Sequence, residues 1–437
     1  MIFCIDFVIH FRYAKSVIQI LIKSVREKKL TPLFFGLTAI IELLLVNQLS
    51  DLQPFLSNWE YKTKEILNLT APSNNLYGPG AAILLIPVIW NSPTFFVANV
   101  FYIFVGAFFY YKICQKIQSS KFRYVAYLSL LLNPYFFWLC HSSQDTVFEF
   151  ALLMASIYFI MNDRFFLFCI STLLLSETRS QYWVMFLLVS IAKIIFSLRK
   201  KTKIKKIYYL PFFFLMAIMG FNQTNYGSTS ITLYAGETFE LGQSKYFYIA
   251  HPKFDADVLL GLASQNDTYR DSRAPENFTP AQKNHYYTKQ AILTIKENPK
   301  QAILNLMQKM DSYIFISQKV PNSPGKFKLN KEANRIDIID ERLTWSLVLG
   351  NLFYQFWRGL MFILLISSLA ILFYKIINDQ DKIKTNDIWL LLPWVSTFFV
   401  IVLFYMETRY KIVPELLLPV FSLLTISRLK KQSFTTI

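Results

Sequence analysis

Residues 50–80, SDLQPFLSNWEYKTKEILNLTAPSNNLYGPG, are the first long polar break in the chain, set between two strongly apolar segments. The break carries Asp51, Glu60 and Glu65 beside Trp59, Tyr61 and Tyr77, and it closes on Tyr77-Gly78-Pro79-Gly80 where apolar sequence resumes. Carboxylates and amphipathic aromatics beside an apolar run are the composition of a membrane–water interface. The stretch therefore reads as a candidate active-site loop, held at a membrane surface by the segments on either side.

Working outward, the composition supports that frame. Of 437 residues, 54% are hydrophobic and 17% aromatic, and the mean hydropathy is +0.34, too apolar for an ordinary soluble domain. The formal charge of +17 would suit a nucleic-acid binder. Here, however, Lys and Arg fall in short clusters between apolar runs, the pattern of cytoplasmic membrane loops, so no nucleic-acid partner is expected. Cys4, Cys114, Cys140 and Cys169 have neither paired nor zinc-type spacing. No cofactor is indicated, and a divalent metal is allowed by the chemistry without being signalled.

The fold class expected is an all-α polytopic membrane protein of about ten transmembrane helices, with one re-entrant or interfacial helix and a large external loop domain. Residues 1–30, basic and only briefly apolar, form a cytoplasmic or interfacial N-terminal segment. Residues 31–221 form a transmembrane region containing the external loop 50–80, with spans read at 33–49, 94–111, 125–139, 147–161, 165–175, 182–198 and 208–221. A short surface helix is expected over 58–69, and 81–90 is too short to cross. Residues 222–342 turn polar and read as an external, periplasmic insert domain. Within it, 283–309 shows helical apolar spacing broken at Asn298-Pro299, which predicts two helices. Residues 343–437 return to the membrane, with spans at 343–376, 388–405 and 412–426. Charged residues deep inside these spans are few, Glu42 being the one that stands out.

This topology gathers Asp51, Glu60, Tyr77, His141, Asp145, Glu177, Arg179, Glu407 and Arg409 at the outer face. Alternating acids and arginines at span ends suit a site that grips an anionic substrate beside a general base. Taken singly, each has a plainer role. Asp145 is placed to N-cap the helix that starts at Thr146, and His141 to sit in the interfacial belt. Tyr77 with its Gly-Pro-Gly is equally a tight turn, and Glu407 is equally a partner for Arg409 or Lys411.

Several motifs in this order resemble a known family. They are the acid-bearing first loop with Tyr77-Gly78-Pro79-Gly80, Asn133-Pro134 followed by Ser142-Ser143-Gln144-Asp145, the NQTNYG run from Asn222, Ile295-Lys296-Glu297-Asn298-Pro299-Lys300, and Glu407-Thr408-Arg409-Tyr410 with Pro414. Together they resemble the C-type (GT-C) membrane glycosyltransferases, and more narrowly the bacterial relatives of protein O-mannosyltransferases and aminoarabinose transferases. The resemblance implies transfer of a sugar from a polyprenyl-phosphate donor to a lipid, glycan or protein acceptor, with inversion, as part of glycolipid and cell-envelope synthesis. It also implies a bacterial inner (plasma) membrane protein with its active site on the periplasmic face. Asp51 and Glu60 are then the alternatives for the principal base, and Asp145 is the second acid. Tyr77, His141, Arg179, Glu407 and Arg409 become substrate-binding residues, the arginines suited to two-pronged contact with phosphate. An O-antigen or capsule polymerase or ligase using a polyprenyl-pyrophosphate donor is the neighbouring reading, and a flippase the non-enzymatic one. No P-loop, GxGxxG, HExxH or GxSxG motif is present.

Overall fold

The computed structural model describes residues 63–65, 67–68, 83–84, 95–131, 133, 145–243, 273–314, 327–330, 335–338, 355–360, 362–370, 373, 385–404 and 408–433. The helical class expected from the sequence holds, with one short antiparallel hairpin added, β1 (Phe327–Asn330) paired with β2 (Arg335–Ile338). The helices that matter for the site are α1 (Phe95–Cys114), α2 (Ser120–Leu131), α3 (Thr146–Met161), α4 (Phe165–Thr178), α5 (Tyr182–Arg199) and α6 (Leu210–Tyr226). Further along come α7 (Ala235–Gln243), α8 (Pro280–Glu297), α9 (Pro299–Ile314), α10 (Leu392–Leu403), α11 (Thr408–Glu415) and α12 (Leu417–Ser433). Residues 355–360 and 362–370 are also helical.

Among the described residues, two helical stretches are long and apolar enough to cross a membrane, Tyr182–Arg199 and Tyr410–Ser427. Shorter apolar helices stand at Phe101–Cys114, Thr146–Met161, Phe165–Thr178 and Ile388–Leu403. The span at 33–49 and the N-terminal segment 1–30 lie outside the described residues. Of the surface helix expected over 58–69, residues 63–65 and 67 are helical, and the Asn68 amide donates to the Lys64 carbonyl at 3.0 Å.

The body is built on α3. It runs parallel to α1, with Tyr102 edge-on to Phe148 near one end and Lys116 donating to Asn162 Oδ1 (2.8 Å) at the other. Gly106 lets the two backbones approach closely, because a Cβ there would fall 2.3 Å from Phe150 Cδ1. Helix α3 ends at Asn162, and Asp163 takes a left-handed φ of 57° to reverse the chain, a conformation Asp tolerates. Helix α4 then returns antiparallel, with Ser156 Oγ donating to Ser171 Oγ at 2.9 Å midway along. After a turn at Arg179–Gln181, α5 runs back along α4 through Phe168 and Phe186. Lys193 of α5 bonds Asp163 at 2.8 Å, which puts the ends of α1 and α3 and the far part of α5 at one pole.

At the opposite pole, α3 begins, α4 ends and α5 begins. Helices α10, α11 and α12 close the body, and Ile412, Val413, Leu417, Val420, Phe421 and Leu424 are buried in the same core as Phe148, Phe168 and Phe186. The two helices expected around Asn298-Pro299 are α8 and α9, as the break predicts. Thr279 and Gln282 form a reciprocal capping box at the start of α8, with Pro280 in the first helical turn.

Candidate active site

Asp145 occupies the N-cap position of α3, yet its side chain makes no bond to the helix amides. It instead accepts a hydrogen bond from Arg179 Nη2 at 2.5 Å, an ion pair in which both side chains are largely buried, 13% and 8% exposed. The simple capping role that the sequence allows is therefore replaced by a long-range pair between α3 and the end of α4. Arg179 is the C-cap of α4, and its amide donates to the Leu175 carbonyl at 2.7 Å, which fixes where the guanidinium begins.

One turn into α3, Glu149 follows Asp145 at a spacing of four and so shares its face. Glu149 is fully buried, accepts from the Tyr182 hydroxyl at 2.5 Å, and lies 3.6 Å from Arg179 Nε. The first turn of a helix favours negative charge, so both acids sit where the α3 dipole stabilises them. The guanidinium also stacks over the Tyr410 ring with 5.0 Å to its centroid. Gln181 Nε2 donates to the Tyr410 carbonyl at 3.2 Å, which ties α11 to the turn between α4 and α5.

The network extends through α9. The fully buried Lys411 places its ammonium 5.9 Å from the Tyr313 ring centroid, and the Tyr313 hydroxyl donates to the Trp394 carbonyl at 2.7 Å. Arg358 donates to the Tyr313 and Ile314 carbonyls at 2.6 and 3.2 Å and grips both oxygens of Glu415 through Nε at 3.0 and 3.1 Å. Among the described residues, the carboxylates Asp145, Glu149 and Glu415 and the cations Arg179, Lys411 and Arg358 are thus buried or largely buried in this region. Beside Arg358 and Glu415 lies a narrow cleft walled by Trp357, Phe362, Trp394 and Leu416.

A separate buried cation, Lys309 of α9, donates to the carbonyl of Phe404 at the C-terminal end of α10, where a helix dipole favours positive charge. Burial pulls its ammonium down from 10.5 to about 7.

Of the residues singled out in the sequence, Asp145 and Arg179 are brought together. Asp51, Glu60, Tyr77, His141 and Glu407 lie outside the described residues. Arg409 stands in α11, its side chain outside the described set, directly before Tyr410 and Lys411, which do join the cluster. Sequence reasoning passed over Glu149, Arg358 and Glu415, although each is a charge inside an apolar run, the signal by which such residues are found. Among the described residues, no three His, Cys, Asp or Glu side chains converge as a metal site. Comparison with protein-family models, with curated proteins and with solved structures finds no match for this chain.

Proposed function

We propose that the chain is a polytopic membrane glycosyltransferase of about ten spans that takes a sugar from a polyprenyl-phosphate donor and passes it to a lipid, glycan or protein acceptor. In this reading it lies in a bacterial inner membrane, with residues 222–342 and the site on the periplasmic side. The observation that carries the proposal is the Asp145–Arg179 pair. Two residues 34 positions apart, both assigned to the outer face by the charge pattern of the sequence, meet at the pole opposite Lys116, Asp163 and Lys193.

Transfer from a phosphate leaving group needs a carboxylate to take the acceptor proton and a cation to hold charge growing on the phosphate. The pair supplies both in a mutually neutralised resting form. When the donor phosphate engages the Arg179 guanidinium, Asp145 is released from its ion pair and is free to accept the acceptor proton, while Glu149, held by Tyr182, keeps the arginine in place. Asp51 and Glu60 of the first loop are the other proposed bases, and Arg409 is the second proposed phosphate ligand.

The test is turnover. The purified protein in lipid vesicles, given candidate polyprenyl-phosphate sugars, should release polyprenyl phosphate. Among Asp51→Asn, Glu60→Gln and Asp145→Asn, the variant lacking the base should lose turnover by about a hundredfold or more with donor affinity nearly unchanged. Absence of turnover with every donor, together with unchanged surface glycolipids in a deletion strain, would defeat the reading. Collapse of a polysaccharide ladder to single units would favour a polymerase instead.

A further inference from the structure

Helix α9 is amphipathic in the inverted sense. Its inward stripe, Asn305, Lys309 and Tyr313 at a spacing of four, is buried to 1% exposure or less. Its outward stripe is Ile303, Leu306, Met307 and Met310, with Ile303 and Met307 59% and 60% exposed. A helix flanked by water places these faces the other way round, since burying Lys and Asn while exposing four large apolar side chains is unfavourable unless the surroundings are themselves apolar.

The neighbours of α9 identify those surroundings. It runs along α10 in the opposite direction, Lys309 meeting Phe404 at one end of that apolar helix and Tyr313 meeting Trp394 near the other. Phe399 and Leu403 of α10, 54% and 57% exposed, extend the same apolar surface. Lys296 and Lys300, both exposed, flank the turn that leads into α9.

Helix lengths give the depth. With 16 and 14 residues, α3 and α4 are about 24 and 21 Å long, short of a hydrocarbon core of about 30 Å. If their Asp163 pole marks the inner boundary, the Asp145–Arg179 pole stops beneath the outer one. Tyr313 lies at that level, since Lys411 faces its ring and the adjoining Tyr410 lies under Arg179. That leaves roughly 6–9 Å of hydrocarbon above it, less than the roughly 21 Å of helix between Pro299 and Tyr313, so α9 lies within it only when inclined well away from the membrane normal.

We propose that α9, although it belongs to a stretch whose composition reads as an aqueous insert, is embedded in the outer leaflet. Ile303, Leu306, Met307 and Met310 contact acyl chains, Lys296 and Lys300 sit at headgroup level, and the polar stripe faces the protein. The inference rests on the membrane reading above and goes beyond it by giving this helix a lipid partner.

The test uses the full-length chain with its native cysteines replaced by alanine, reconstituted in phosphatidylcholine vesicles. A bimane label is placed at Met307→Cys, at Ile195→Cys on the exposed face of α5, or at Lys289→Cys on α8. Quenching by spin-labelled phosphatidylcholine should be at least about twofold stronger for the Met307 and Ile195 sites than for Lys289, with iodide showing the reverse order. If Ile195 is quenched by lipid while Met307 follows Lys289, the inference fails and the membrane reading stands. If Ile195 also follows Lys289, both fail.

Discussion

Replacing Arg179 by Gln should destabilise the fold far more than replacing Asp145 by Asn, although the two residues form one ion pair. Arg179 answers two acids, Asp145 at 2.5 Å and the fully buried Glu149 at 3.6 Å, so its loss leaves both carboxylates without their guanidinium. An uncompensated buried charge costs about 3–5 kcal/mol. Asp145→Asn leaves Arg179 with Glu149 and the face of Tyr410, and the carboxamide oxygen still accepts one bond, so the loss is about 1–2 kcal/mol. In the double variant the bond between the two is already gone, and the coupling free energy from the four-protein cycle should be about 1–3 kcal/mol. The measurement is the unfolding midpoint in mixed detergent micelles, followed by tryptophan fluorescence, for the parent, both singles and the double. Equal penalties for the two singles, or a coupling below about 0.5 kcal/mol, would refute the shared-arginine geometry.

Three further outcomes are expected of the same protein. Gly106→Ala places a methyl 2.3 Å from Phe150 Cδ1 and should cost about 1–3 kcal/mol in that unfolding assay, with most of it recovered when Phe150→Leu is added. Removing either partner of Arg358 and Glu415 alone should cost about 3–5 kcal/mol, whereas Arg358→Met with Glu415→Leu should cost less than either single. Lys309 has a folded-state value near 7 against an ordinary 10.5, so between these the unfolded chain holds a proton that the native chain lacks, and stability from this group rises with pH. Lys309→Met should accordingly be more stable than the parent at pH 6, with the advantage shrinking toward pH 9. A constant difference across that range would contradict the buried amine.

The helices were largely legible from apolar runs and their breakers. The expected span at 147–161 became Thr146–Met161, the one at 182–198 became Tyr182–Arg199, and Asn298-Pro299 divided α8 from α9 as a proline at the first helical position should. Asp145 and Arg179 were legible because they sit at the ends of apolar runs, where topology alone assigns them to one face. Glu149, Arg358 and Glu415 were not, because a single charge is averaged away in an apolar window and its partner is set by packing. Arg358 and Glu415 are 57 positions apart, and nothing local in either segment records the other. Helix α9 shows the same limit of an averaged window: within a stretch of polar composition, Asn305, Lys309 and Tyr313 turn toward protein.

In the proposed membrane reading, the buried polar stripe of α9 and the paired charges of the cluster are two consequences of one physical constraint. In an apolar surrounding, a polar side chain has no solvent to fall back on, so it must find a partner inside the protein. Tyr313 meets the demand from both directions, with its hydroxyl on Trp394, its carbonyl accepting from Arg358 and its ring facing Lys411. It thereby links the Arg358–Glu415 pair to the Asp145–Glu149–Arg179 group. In the proposed reaction, an array of paired charges of this kind would respond to an added anion. A phosphate that engages Arg179 takes Asp145's partner while Glu149 keeps the arginine in place, and Asp145 is then free to take a proton. In the proposed reaction that proton comes from the acceptor hydroxyl, so binding of the donor would itself create the base that the transfer requires.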